Sequence, residues 1–516
     1  MRILLCSGAA LVVYALTLAS GLQGGDAGEL ATAVHHLTVA HPPGYPLYVL
    51  LGKLATLVPL GSVIARLNAF SAMCMAGAVY LLGRAVHRHT QNEWAGVGAS
   101  LLFAFSPLVW TWATQAEVFA LHALCSAALL AIFVEPVTRR TLALGAFVFG
   151  LGLGNHHTLV LLGAPLALAL MLRSPRKQIA LACVWFALGL CVYVQLPLGQ
   201  SELGWGETRT LSGFFRHLTR AEYGSFSLAG SRGVSGVDGL RAFFADEPRQ
   251  LLFVGVALAF WGLWRAPIAV IAAWVLSSVV FLLLARFPVS SPLFVSVLAR
   301  FWILPLLLAC FFVGRGLARV PQRFIAVLSV ALALVQLGLS RPPLSTSLVQ
   351  DYANAVLAEL PQNAVLLSRG DLLHNALRHA LSVEGQRPDV VLLDQELMTY
   401  EWYVARASRL VFPGRKYHPH EPYGFSLARF LDVNAGRDFY VIGGLKPGDP
   451  SLKDRYYEIG YGLSTRLVRT PFCARFEDLE RTPFALAQAT ADPWQVALKQ
   501  EYTAALRRTP VACTPP

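Results

Sequence analysis

Acids, a histidine and prolines crowd into two short stretches near the start of the chain. The first reads Gly24-Gly25-Asp26-Ala27-Gly28-Glu29-Leu30, and the second reads Ala40-His41-Pro42-Pro43-Gly44-Tyr45-Pro46. Asp26 and Glu29 lie three residues apart. On a helix they share one face, with His36 near it two to three turns on. A carboxylate set just outside a membrane can serve as general base for an acceptor hydroxyl. The same Asp-x-x-Glu after two glycines is also the pattern of a capping box that starts an amphipathic helix, and one residue can do both. His41 to Pro46 is a rigid turn, because three prolines fix φ. Its His41 and Tyr45 are candidate substrate contacts, and its structural alternative is a plain connector between interfacial helices.

Further along, Glu117 falls between two apolar runs beside Trp110, Trp112 and Gln115. A carboxylate at membrane depth is costly and is therefore a functional candidate, although a solvated turn acid reads the same way. Asn155-His156-His157 occupies a second turn. Adjacent histidines do not share a helix face, so the pair suits a phosphate or sugar contact better than chelation. Arg216 and Arg220, four apart in Phe215-Arg216-His217-Leu218-Thr219-Arg220-Ala221-Glu222-Tyr223-Gly224, are expected on one helix face. Arginine is the side chain best matched to phosphate. Arg286 and Arg300 flank another loop at membrane depth and suit an anionic headgroup. Carboxylates, arginines and histidines without metal-ligand spacing fit sugar transfer from a polyprenyl-phosphate donor. In that chemistry cations hold the leaving phosphate and a carboxylate deprotonates the acceptor. No cofactor is expected, and no ligand spacing points to a metal.

The elements that position these residues follow from composition. Of 516 residues, 55% are hydrophobic and only 14% charged, against roughly 25% charged in soluble proteins. At about 20 apolar residues per crossing, spans are expected near 3–21, 63–83, 94–113, 118–135, 141–155, 157–172, 178–198, 250–264, 267–285, 300–318 and 324–340. The segment 47–60 contains Lys53 and Pro59 and is expected at the interface. The net charge of +12 sits in short alternate loops, at Arg84 and Arg88, Arg139 and Arg140, Arg173, Arg176 and Lys177, Arg265, and Arg315, Arg319 and Arg323. By the positive-inside rule those loops are cytoplasmic. The N-terminus is then inside, and a C-terminal domain of residues 341–516 lies outside. Basic residues are not interleaved with aromatic ones as in a nucleic-acid groove, which excludes that partner class. The first apolar run is longer than a usual signal core, so it is read as a retained span rather than a signal peptide.

Six of the eight cysteines stand singly in apolar segments, and no C-x-x-C occurs. Cys473 and Cys513 are the only two in the C-terminal domain, and a disulfide between them is open. That domain alternates strands at Ala364–Ser368, Asp389–Asp394 and Phe439–Gly443 with helices at Leu372–Ser382 and Glu396–Arg409, an α/β pattern. The inner loops are too short to hold a site, so any chemistry belongs to the outer face.

The first loop motif, together with Ala116-Glu117-Val118-Phe119-Ala120-Leu121-His122, Gly152-Leu153-Gly154-Asn155-His156, Trp205-Gly206 and His217 to Gly224, resembles a membrane family long catalogued as a domain of unknown function. Its eukaryotic members include protein O-mannosyltransferases of the endoplasmic reticulum. The resemblance covers roughly residues 20–225 and is weaker onward, at Arg300-Phe301 and Gly370-Asp371. It implies a GT-C glycosyltransferase fold: an α-helical polytopic membrane domain over residues 1–340, with a soluble α/β domain after it. It also implies a polyprenyl-phosphate sugar donor, inversion at the anomeric carbon and Asp26 as catalytic base, with Glu29 as support or alternate. Phe119 stands where the family is expected to carry Tyr, and of the histidine pair only His156 matches.

The expected function is transfer of a sugar, mannose by family analogy, to an outward-facing protein Ser/Thr hydroxyl or a glycan. The expected setting is a bacterial inner membrane, with the C-terminal domain in the periplasm. Candidate donor or substrate contacts are His41, Tyr45, Glu117, Asn155, His156, Arg216, Arg220, Tyr223 and Arg300. The alternatives are a flippase for a lipid-linked sugar and a non-catalytic scaffold. A flippase needs charges at the bilayer midplane, where the spans carry almost none. A scaffold leaves the outward charged set without a role.

Overall fold

The structure, a computed structural model, describes residues 1–222, 235–340, 346–470 and 492–507. Tyr223, Cys473 and Cys513 lie outside the described residues. The chain forms two compact units that interleave in sequence. One comprises Met1–Ala19, Val39–Gly199 and Thr208–Ser345. The other comprises Ser20–Thr38, Gln200–Glu207 and Thr346–Pro516.

The first unit is helical. Each of the eleven apolar runs contains a helix, but among the described residues five helices have the length and apolarity to cross a membrane: Val63–Thr90, Arg176–Leu198, Ile268–Ala285, Pro292–Leu317 and Gln322–Leu339. Shorter apolar helices are Arg2–Leu16, Pro46–Thr56, Val118–Phe133 and His157–Met171. The run 94–113, expected to be continuous, is two helices, Glu93–Phe105 and Pro107–Ala113, bent by 69°. Ser106 caps the second helix and Pro107 opens it, so the backbone ladder is interrupted there. Gln250 Oε1 accepts from the Leu108 N–H at 3.1 Å and satisfies one donor at the break. The run 250–264 is part of a longer helix, Gly236–Leu263, which is broken where Leu252 takes φ 61° and ψ 159°.

The basic residues of the alternate loops gather at one end of this bundle. Arg2 pairs with Glu93 at 2.8 Å, and Arg88 pairs with Glu135 at 2.9 Å. Arg315 Nε donates to the Gly262 carbonyl at 2.9 Å, one Nη to the Arg265 carbonyl at 2.8 Å, and the other contacts His89. Arg88 stands in the last turn of its own helix and Arg315 holds the carbonyl end of Gly236–Leu263, positions where cations are favoured.

The second unit is α/β. Its strands are β1 (Val365–Ser368), β2 (Val391–Asp394), β3 (Lys416–Tyr417), β4 (Gly424–Phe425), β5 (Phe439–Ile442), β6 (Tyr457–Tyr461) and β7 (Ser464–Val468). The main sheet has the order β2-β1-β5-β7-β6, with β1 parallel to both β2 and β5. Val365, Leu367, Val441, Phe430 and Met398 build its core. The helix Asp371–Ser382 is observed as read. The stretch 396–409, read as one helix, is only a short turn at Leu397–Thr399 and a single helical turn at Glu401–Val404. Its aromatic side chains pack around β2 instead of forming a helical stripe. The terminal β6–β7 hairpin was not read from the sequence.

Candidate functional site

In the first unit Glu117 ends a tight turn as N-cap of the Val118–Phe133 helix. Its Oε2 accepts from the Val118 N–H at 3.2 Å, one of the first-turn donors that have no partner within the helix. The residue is only 2% exposed. Its other oxygen lies 3.2 Å from Arg300 Nη1, and Arg300 is itself tied to the Val297 carbonyl at 3.2 Å. The Arg300 Cζ stands 5.5 Å over the Phe119 ring, a cation–π contact.

An aromatic cage continues from there. Phe119 packs 5.3 Å from both His156 and Phe301. His156 stacks on Tyr45 at 6.0 Å and lies 5.2 Å from His122. The Thr158 N–H donates to His156 Nδ1 at 3.2 Å. The neutral ring therefore carries its proton on Nε2 and can donate there. Burial holds the His156 imidazole well below its ordinary pKa, and His122, His157, Arg220 and Arg300 push it further down. Asn155 donates to the Val118 carbonyl at 3.0 Å and locks the turn against the Glu117 helix.

The proline turn sits in the same unit. Gly44 takes φ +94° and Tyr45 φ +46°, so the chain reverses through left-handed backbone. Tyr45 Oη bonds His41 Nε2 at 3.0 Å. A Cβ on Gly44 would press on Leu196 and on His217 Nε2, so the turn packs against the segment carrying Arg216 and Arg220. The two arginines do not share a helix face as expected. The helix Leu211–Leu218 ends before Arg220, which has φ +55°. Arg216 is exposed, whereas Arg220 turns inward and its charge acts on His156.

In the second unit Asp26 is the N-cap of the Ala27–His36 helix, but its side chain makes no capping bond, so the capping-box reading fails. Asp26 itself is half-buried and Glu29 is buried. The helix lies tightly on Asp371–Ser382. Gly28 abuts the Asn375 backbone, and Asn375 Nδ2 donates to the Gly25 carbonyl at 3.0 Å. His36, read near the acidic face, instead holds the Ser382 carbonyl at 2.9 Å. Burial lowers the Arg378 guanidinium and the His374 imidazole, and the Glu29 charge opposes both shifts. Glu29 is thus an internal counter-charge of this unit.

A family model described as the protein O-mannosyl-transferase TMEM260 N-terminal domain matches residues 26–180. The mouse protein O-mannosyl-transferase TMEM260 is 35% identical, over 96% of this chain and 80% of its own length. The chain belongs to the TMEM260 family of protein O-mannosyl-transferases. A TMEM260 relative from Dictyostelium discoideum is 30% identical over 89% of this chain and 65% of its own length. Among solved structures, ArnT from Cupriavidus metallidurans bound to undecaprenyl phosphate superposes with a TM-score of 0.53. That match has 13% identity and covers 81% of this chain and 96% of ArnT. The apo form gives 0.50 at 14% identity. The fold is therefore GT-C, and the protein is a multi-pass integral membrane protein.

Within this TMEM260-family chain, the sequence reading missed Phe301, His122 and Thr158 around His156. It also missed Arg378 and His374 behind Glu29. Arg378 and His374 stand four apart on one helix face, a spacing visible in the sequence. Phe301 and His122 look like ordinary core residues until the fold brings them to the turn.

Proposed function

We propose that this protein transfers mannose from a polyprenyl-phosphate carrier to a Ser or Thr hydroxyl of an acceptor protein, with inversion. The acceptor oxygen attacks the anomeric carbon, the bond from that carbon to the phosphate oxygen breaks, and polyprenyl phosphate leaves. The acceptor proton passes to the Asp26 carboxylate. Arg300 and Arg220 take up the charge that grows on the leaving phosphate, and neutral His156 donates from Nε2 to a sugar or phosphate oxygen. His41 and Tyr45 form the rigid wall of this donor region. Glu29 supports the acid-bearing helix through Arg378. Arg216 has the weaker claim, because it is exposed.

The observation that carries the reading is the buried Glu117–Arg300 pair with His156 and Arg220 beside it. It is a cationic, aromatic-walled cluster in a membrane domain. The names of the relatives, and the undecaprenyl phosphate bound by ArnT, point the same way. The gathering of basic residues at one bundle end supports an inner-membrane setting with that end cytoplasmic and the second unit periplasmic.

The test is transfer from a defined mannosyl-phosphate polyprenol to an acceptor protein by Asp26→Asn and Glu29→Gln, made separately. Loss in Asp26→Asn with residual activity in Glu29→Gln is expected. Full activity in both would sink the assignment. The chemistry as written runs without a metal: transfer that survives EDTA supports this, and loss restored by a divalent cation overturns it.

A further inference from the structure

The second unit contains a cavity of about 360 Å³ whose walls are unlike the acid-bearing helix already described. This lies in the roughly 300–1,000 Å³ range of binding pockets. One wall is the outer edge of β2, through Val390, Val391, Leu392 and Leu393. β2 is the edge strand of the sheet and, among the described residues, pairs only with β1. The Val391 and Gln395 N–H groups donate towards β1, at 3.0 Å each. By strand alternation the Leu392 N–H and carbonyl then point away from β1. The next outward donor, the Asp394 N–H, is taken by Tyr403 Oη at 3.1 Å.

The opposite wall is aromatic. Trp402 packs 5.7 Å from Trp205 and stacks 5.9 Å from Tyr400. Its buried Nε1 has no hydrogen-bond partner among the described residues, and a buried indole N–H ordinarily has one. Trp205 is held in place from below. Arg406 donates to the Ser201 and Gly204 carbonyls at 3.3 and 3.0 Å and to the Gly206 carbonyl, and Arg378 donates to the Leu203 carbonyl.

The charge is one-sided. Four arginines line the cavity (Arg378, Arg387, Arg406 and Arg409) against one acid, Glu202. Arg387 is neutralised by Asp389 at 2.8 Å, and Arg409 is exposed, donating to the Pro388 carbonyl at 3.1 Å.

We infer that this cavity is a docking site for an extended, acidic segment of the acceptor polypeptide, separate from the residues that receive the sugar. The strand edge supplies main-chain pairing, as in β-strand addition. The tryptophans take a large apolar side chain, and Trp402 Nε1 donates to a carbonyl of the incoming chain. The exposed Arg409 selects acidic neighbours. An oligosaccharide would use the aromatic wall but not the strand edge. The inference takes from the preceding reading that the acceptor is a polypeptide.

The test uses the full-length protein in nanodiscs without donor. The probes are two fluorescein-labelled decapeptides, one alternating Phe or Leu with Glu and the other carrying Lys in place of Glu. Fluorescence anisotropy should show the acidic peptide binding about tenfold more tightly. Arg409→Glu, at an exposed position and with an unchanged melting temperature, should abolish that preference. Trp402→Phe, which keeps a ring but removes the donor, should weaken the acidic peptide several-fold. Equal binding of the two peptides, or an Arg409→Glu profile like the parent's, overturns the inference. Mannose transfer is assayed in parallel. Peptide binding with no transfer leaves the docking site standing and removes the mannosyltransferase reading, whereas transfer with no peptide binding does the reverse.

Discussion

Arg300 Nη1 lies 3.2 Å from Glu117 Oε1, although the two residues are 183 positions apart. The pair joins a helix N-cap to the Pro292–Leu317 segment, and Phe119 covers the guanidinium. Removing one member of a buried pair leaves the other charged and unpaired, at a cost of about 3–5 kcal/mol. Arg300→Ala and Glu117→Gln should therefore each lower the melting temperature. Arg300→Ala should in addition reduce transfer by about 100-fold or more, since in the proposed reaction it takes up charge from the leaving phosphate. Arg300→Lys keeps the charge but not the fork, and should fall between the two. The check is a thermal-shift series beside a single-donor transfer assay.

A pH dependence follows from His156. Its folded pKa is depressed well below the ordinary value of 6.5, by burial first and then by His122, His157, Arg220 and Arg300. Between the two values the unfolded chain binds a proton that the folded one does not. Stability is therefore fully present above about pH 6.5 and declines as the pH falls towards the folded value. His156→Gln cannot titrate, so its stability should depend less on pH by up to one proton between pH 6.5 and 5. Chemical denaturation at several pH values reads this slope, and an unchanged slope would remove His156 as its source.

Gly28 has no room for a side chain, because a Cβ there would collide with the Asn375 backbone carbonyl. A backbone wall cannot rotate aside as a side chain can. Gly28→Ala should loosen the Ala27–His36 helix from Asp371–Ser382 and cost about 1–3 kcal/mol. Faster hydrogen exchange over 27–36, compared with the parent protein, would record it.

Arg406 holds three carbonyls of the segment 200–206. Arg406→Ala should release that segment at a cost of about 1–3 kcal/mol. A new proteolytic cut near Trp205, at protease levels that leave the parent intact, is the expected outcome.

Some of this was legible from the order of residues alone. Eleven apolar runs and their alternating basic loops determine a multi-pass helical protein, because a bilayer demands long apolar stretches whatever the tertiary arrangement. The motif from Asp26 to Tyr45, with Glu117 and Asn155-His156, determines the family. Where the helix caps fall was not read in advance: the run 94–113 is expected unbroken, whereas Ser106 caps a second helix inside it and Glu117 caps the next.

Tertiary structure decided the rest, because it depends on contacts between residues far apart in the chain. No local spacing shows that Arg300 pairs with Glu117, or that Phe301 and His122 enclose His156. The assumed helical register of Arg216 and Arg220 failed because the backbone turns left-handed at Arg220, which separates the exposed arginine from the inward one. The acidic pair near the start read as a capping box. Packing against Asp371–Ser382 instead buries Glu29 near Arg378 and leaves the Asp26 carboxylate out of the cap.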